Sequence, residues 1–174
     1  MLSLTKEEVC ILDQFFLGTL PIHKIKIFDG GFLSLGSTRT IGYSIHFSKN
    51  FINPVNRKTF WFRSTLAHEC VQIWQYHHVG WKYALGSIWS QIVAKIKTGS
   101  RNGAYAYSML PEKPLLSYGF EQQAMMMQEY YQRRWEIAGI TVMCEDFEKL
   151  GENTVNEICE KRRLELLQNH KLLL

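Results

Sequence analysis

The run Thr59–His77, TFWFRSTLAHECVQIWQYH, is the strongest constraint on how this chain folds. It reads as one long helix. Phe62, Leu66, Val71, Ile73, Trp74 and Tyr76 make it apolar on most sides, so it is expected to be buried. A helix of that kind needs covering from more than one direction, and the rest of the chain must supply the covering layers. Its limits are also marked. The loop NPVNRK precedes it, and Gly80 ends or bends it.

The segments on either side differ in character. Leu4–Leu17 has helical spacing, with Thr5 and Glu8 as a capping box and Gly18 as the stop. Ile22–Ile52 switches to period two. Ile25 and Ile27 alternate with Lys24 and Lys26, and Ile41, Tyr43, Ile45 and Phe47 are expected on one face. DGGF at Asp29–Phe32 supplies a turn, so two or three strands are expected before the buried helix. After it come a second apolar helix near Tyr83–Lys97, a long connection from Thr98 to Gly119, a helix at Phe120–Ala138 and a charged one at Asn153–Asn169. The order predicts an α+β protein: a small N-terminal sheet followed by a mostly helical body. With 174 residues, 46% of them hydrophobic, and no internal boundary, residues 1–174 make a single domain.

Charge and cysteines bound the partners. The net charge of +4 is modest, and no stretch gathers five or six like charges, so no nucleic-acid partner is expected. No run of about 18 apolar residues occurs, so no transmembrane segment is expected. The N-terminal MLSLTKEEVCILDQFF is broken by charges and does not read as a signal peptide. The protein is expected in the cytoplasm as synthesised, with any export depending on signal-peptide-independent machinery. Cys10, Cys70, Cys144 and Cys159 lack C-x-x-C spacing and suit a reducing compartment; two disulfides in an exported protein are the alternative.

The long helix carries His68-Glu69-Cys70-Val71-Gln72. Two histidines four apart share a helix face and can hold one zinc ion, with the intervening glutamate as general base. Here Gln72 stands where the second imidazole belongs, and a neutral amide oxygen is a weak zinc ligand. A lone His-Glu on a buried helix also occurs as a plain hydrogen-bonded pair. His78 lies ten positions after His68, but Gln75 occupies the place where a turning glycine would be needed. The helix therefore carries His78 about 15 Å away along its axis. His77 and His78 read as polar helix-end residues, His23 and His46 as strand residues, and His170 as solvated tail. His46 is an alternative ligand with no spacing rule behind it.

LAHECVQIWQY, TIGYSIHF, AYAY at Ala104–Tyr107 and SYGFEQQA at Ser117–Ala124 occur in that spread across the chain. Together they resemble a bacterial zincin-like metallopeptidase family found as toxin or effector domains with Rhs elements, type VI secretion and contractile-injection particles. The likeness runs over Thr40–Tyr130, about half the chain. It implies a zincin-like fold, zinc held by His68, the residue at position 72 and Glu121, and Glu69 as catalytic base. It also implies a protein or peptide as substrate or partner and a secretion-apparatus carrier. Tyr105, Tyr107 or Tyr118 would donate to a developing oxyanion. Gln72 is the departure. It leaves two readings: a zinc-dependent hydrolase with an impaired or weakly loaded site, and an inactive pseudopeptidase that works as a protein-binding module. Taken without the resemblance, Glu121 is equally a carboxylate suited to a helix N-terminus.

Three further features are ambiguous in the sequence. Met125, Met126 and Met127 cannot all face one way, so one or two belong in the core. The stripe Trp81, Leu85, Ile88, Trp89, Ile92, Ile96 is expected to pack in the core. Tryptophan with flanking lysines also suits a surface that touches lipid or protein, a peripheral membrane contact. Arg133, Arg134 and EKRRLE read as a solvated face.

Overall fold

Thr5 caps the first helix, α1, at Lys6–Phe16. Its hydroxyl accepts from the Glu8 N–H at 3.2 Å, and the Glu8 carboxylate accepts from the Thr5 N–H at 2.7 Å, as the capping box predicts. The computed structural model describes residues 1–30, 37–82, 105–108, 110 and 113–135. It also describes single positions at 86, 93, 96, 99, 157, 160, 161 and 164. The exit from α1 departs from the expected glycine stop. Leu17 takes the left-handed conformation (φ 51) and Gly18 follows it (φ 71). The Gly18 N–H bonds Asp13 O at 3.0 Å. The turn that favours glycine therefore falls one residue early, on leucine.

Three strands follow: β1 at Lys26–Asp29, β2 at Arg39–Ile41 and β3 at Ser44–Phe47. Their order is β1-β3-β2, with β1 parallel to β3 and β2 antiparallel to it. TIGYSIHF is thus two strands and not one. Ile41 pairs with Ser44, so Gly42 and Tyr43 form a two-residue turn, with Gly42 at φ 60. This corrects the expected single face. The turn resets the alternation, leaving Ile41 exposed and Ile45 and Phe47 buried. Thr40, paired with Ile45, shares that residue's face.

The buried helix α2 runs Phe60–Val79. Thr59 accepts from the Phe62 N–H at 3.2 Å, and Gly80 (φ 66) closes the end by donating to Tyr76 O at 2.8 Å. As predicted, it is covered on most sides: Phe62, Leu66, Val71, Ile73 and Trp74 are buried. The third helix, α3, runs Phe120–Trp135 and packs along α2. Phe62 stacks on Phe47 at 5.1 Å, joining α2 to the sheet. Phe15 of α1 meets Tyr131 of α3 edge-on at 5.3 Å. Arg57, in the loop before α2, donates to Glu8 at 2.9 Å and to Ser3 O at 2.8 Å, which ties the first helix to the start of the second.

The mixed α+β class with a small N-terminal sheet is therefore present. Met126 and Met127 are buried and Met125 is half-buried. The predicted helix at Tyr83–Lys97 lies mostly outside the described residues; its described positions Gly86, Val93 and Ile96 are helical. So are Glu157, Glu160, Lys161 and Leu164 of the predicted last helix, while Ala138, Cys144, Cys159 and His170 lie outside. Among the described residues, no helix is long and apolar enough to cross a membrane.

Candidate functional site

Helical spacing places His68 and Gln72 one above the other on α2. Glu121, in the first turn of α3, faces them. The Gln72 amide nitrogen stands 3.1 Å from His68 Nε2 and 2.9 Å from Glu121 Oε2; His68 Nε2 and Glu121 Oε2 are 3.6 Å apart. The three predicted ligands therefore converge, and all are buried. One amide nitrogen carries two hydrogens and can serve both neighbours at once. The reverse amide orientation would set its oxygen against the Glu121 carboxylate, so the carboxylate fixes the NH2 end between them.

This bridge dictates the state of His68. Accepting from Gln72 needs the Nε2 lone pair, so the ring proton belongs on Nδ1. His68 Nδ1 is buried and makes no hydrogen bond of ordinary geometry among the described residues, although the Gln128 side chain lies near enough to the ring to favour its protonation. Burial lowers the His68 pKa, but the Glu121 hydrogen bond and the Glu69 and Glu121 charges outweigh it, and the net shift is upward. Protonation at Nε2 would point an N–H at the Gln72 N–H, so the imidazolium and the bridge exclude each other.

Glu69, next to His68 on α2, meets the sheet. The Thr40 hydroxyl of β2 donates to Glu69 Oε2 at 2.7 Å and lies 3.3 Å from the Glu69 backbone oxygen. Burial pushes the Glu69 carboxyl up; the His68 charge and the Thr40 bond oppose that shift without cancelling it. The plain His-Glu pair that the sequence also allows is not what forms: the partner of Glu69 is Thr40. The only signal for Thr40 is its place in the quoted TIGYSIHF segment.

Gln75, which no sequence pattern marks, continues the polar stripe one turn on. Its amide donates to Gln123 Oε1 at 3.0 Å and to Phe120 O at 3.2 Å, and Gln123 donates to Tyr118 O at 2.8 Å. This buried ladder registers α3 against α2.

The segment carrying the candidate tyrosines is fastened to α3. Gln122 donates to Ala106 O at 2.6 Å, the Tyr107 hydroxyl bonds the buried Glu129 carboxylate, and the Tyr118 hydroxyl donates to Ser108 O at 3.0 Å. Of the three tyrosines, Tyr105 has its ring beside His68, with centroids 6.2 Å apart. His78 is carried away along α2 as predicted, and its Nδ1 lies 2.8 Å from Trp74 O. His77 bonds the Tyr43 hydroxyl at 2.9 Å. His46 stacks on Phe28 with centroids 4.8 Å apart, and burial lowers its pKa. His23 belongs to the short turn Ile22–Lys24 and not to a strand.

Zinc ligands about 2.0–2.1 Å from a metal stand roughly 3.3 Å apart along a tetrahedral edge. The triad's separations of 2.9, 3.1 and 3.6 Å bracket that figure. The chemistry, however, does not match the spacing. The Gln72 nitrogen offers two N–H groups and no lone pair, and among the described residues no three His, Cys, Asp or Glu side chains are placed to hold a metal ion together. As it stands the donor set does not fit a tightly held zinc ion. No family model, curated protein or solved structure matches the chain.

Proposed function

We propose that this chain is a zincin-like, metallopeptidase-type domain of the kind used as a toxin or effector, whose zinc site is impaired by Gln72. The observation that carries this reading is the Gln72 amide between His68 and Glu121, at 3.1 and 2.9 Å. The amide satisfies with N–H groups the same lone pairs that a metal would need. A metal entering between His68 and Glu121 would have to displace the amide and break both of its hydrogen bonds. On this reading the protein acts by contact, with a protein or peptide as its partner and a secretion apparatus as its carrier.

A residual zinc-dependent hydrolase is the second reading. It is favoured by Glu69, a buried carboxylate with a raised pKa, held by Thr40 and adjacent in sequence to His68. On this reading Glu69 would serve as the general base. Here zinc would be weakly bound by His68 and Glu121, with Gln72 turned to offer its oxygen.

Metal analysis of the purified chain beside Gln72→His separates the two readings. The impaired-site reading expects no zinc in the parent and about one per chain in the variant, which completes a three-ligand set. Stoichiometric zinc in the parent supports the hydrolase reading instead. Equal zinc-free behaviour of both proteins removes the ligand assignment altogether.

A further inference from the structure

Tyr76 lies two turns beyond His68 on α2. There the helix meets the β2–β3 turn, and a second group of side chains collects outside the proposed site. The Tyr43 and Tyr76 rings meet edge-on at 5.2 Å, and Trp81 meets Tyr76 edge-on at 5.9 Å. Trp81 is 69% exposed, against the expectation that it packs in the core. Lys24 Nζ lies over the Tyr43 ring, 5.2 Å from its centroid, and the Tyr43 hydroxyl bonds His77. Lys82 follows Trp81 and is exposed. Neither Lys24 nor Lys82 has an ion-pair partner among the described residues. The pKa of His77 is lowered by burial and by the charges of Lys24 and His23, which marks how closely the basic groups crowd here.

The surface thus combines an outward indole, two aromatic rings with polar tips, and basic groups without acidic partners. Indole and phenol rings suit the boundary between headgroups and acyl chains, where one end is apolar and the other wet. Lysines beside them suit anionic phosphates. An acidic peptide would answer the charge alone, whereas a bilayer answers both the charge and the protruding Trp81. We propose that this face docks on an anionic phospholipid surface, with Trp81 entering the interface and Lys24 and Lys82 on the phosphates. The proposal does not depend on whether the His68 site holds metal.

The test is co-sedimentation of the full chain with phosphatidylcholine vesicles, with and without phosphatidylglycerol. The expected result is binding to the anionic vesicles only. Trp81→Ala should weaken it about tenfold, and Lys24→Gln about fivefold. Trp61→Ala should leave it unchanged. Trp61 is a fair control because it is 63% exposed yet lies near the opposite end of α2. Circular dichroism checks that each variant is folded. No binding to anionic vesicles, equal binding by Trp81→Ala, equal loss in Trp61→Ala, or binding to polyglutamate but not to vesicles would each overturn the proposal.

Discussion

The Gln72 amide nitrogen donates to Glu121 Oε2 across 2.9 Å, joining α2 to α3 between residues 49 positions apart in the chain. The same nitrogen lies 3.1 Å from His68 Nε2. Replacing Gln72 with leucine deletes a donor that two buried acceptors use. The expected cost is about 2–4 kcal/mol of stability, read from urea unfolding. In Gln72→His, added zinc should raise the melting temperature in proportion to the logarithm of its concentration, and in the parent it should not. A parent that gains as much from zinc as the variant would contradict the amide's role.

Thr40 and Glu69 make the second prediction. The folded pKa of Glu69 lies above its ordinary value of 4.5, so the folded state holds that proton more tightly than the unfolded state. Its contribution favours folding below 4.5 and is lost as the pH rises through the raised value. Glu69→Gln should therefore be more stable than the parent at neutral pH, and the gain should shrink as the pH falls towards 4.5. Thr40→Val should raise the Glu69 pKa further, which carboxyl-detected NMR titration would show.

The histidines should separate in an NMR titration. His68 should titrate above 6.5, and His46 and His77 below it. For His46 the unfolded state takes the proton first, so this residue makes the folded state lose stability as the pH drops below 6.5. His46→Gln should lose less over the same interval than the parent.

Leu17 holds a left-handed conformation that an L side chain occupies at a cost of about 1 kcal/mol. It is also exposed, so little packing is lost with its side chain. Leu17→Gly should stabilise the protein by about 0.5–1 kcal/mol in thermal or urea unfolding. A loss of stability would mean that the Leu17 side chain contributes more than its exposure suggests.

Cys10 is exposed and Cys70 is buried, with burial pushing the Cys70 thiol well above its ordinary range. Iodoacetamide should label Cys10 in the native protein and reach Cys70 only after unfolding, as read by peptide mass spectrometry. Native labelling of Cys70 at a comparable rate would contradict its placement on the inner side of α2.

Legibility in the sequence followed the range of the interactions. The α1 capping box, the start and end of α2 and the alignment of His68 with Gln72 depend on residues three to five apart, and each was readable. The β2–β3 hairpin was not, because Gly42-Tyr43 can be read as part of one alternating run until Ile41 is paired with Ser44. That misreading hid Thr40, since only the turn puts Thr40 on the face that reaches Glu69. Glu121 came from resemblance alone; no local rule connects it to a helix 49 residues earlier. The Gln75–Gln123 ladder was missed for the same reason. Glutamines in helices carry no pattern of their own, and their partners are set by the docking of α3.

The unbroken burial of Leu66–Gln75 in the middle of α2 has a consequence for the order in which the protein is made. Its apolar surface is covered in part by the sheet, which precedes it, and most extensively by α3, which follows it. His68, Gln72 and Gln75 wait for residues 120–123, which leave the ribosome more than forty positions later. Until then the nascent chain holds a half-covered helix with an open polar seam, the kind of intermediate that chaperones bind. A stalled ribosome from which residues 1–80 have emerged but residues 120–135 have not should therefore display a sticky, protease-sensitive chain, and release of α3 should seal it.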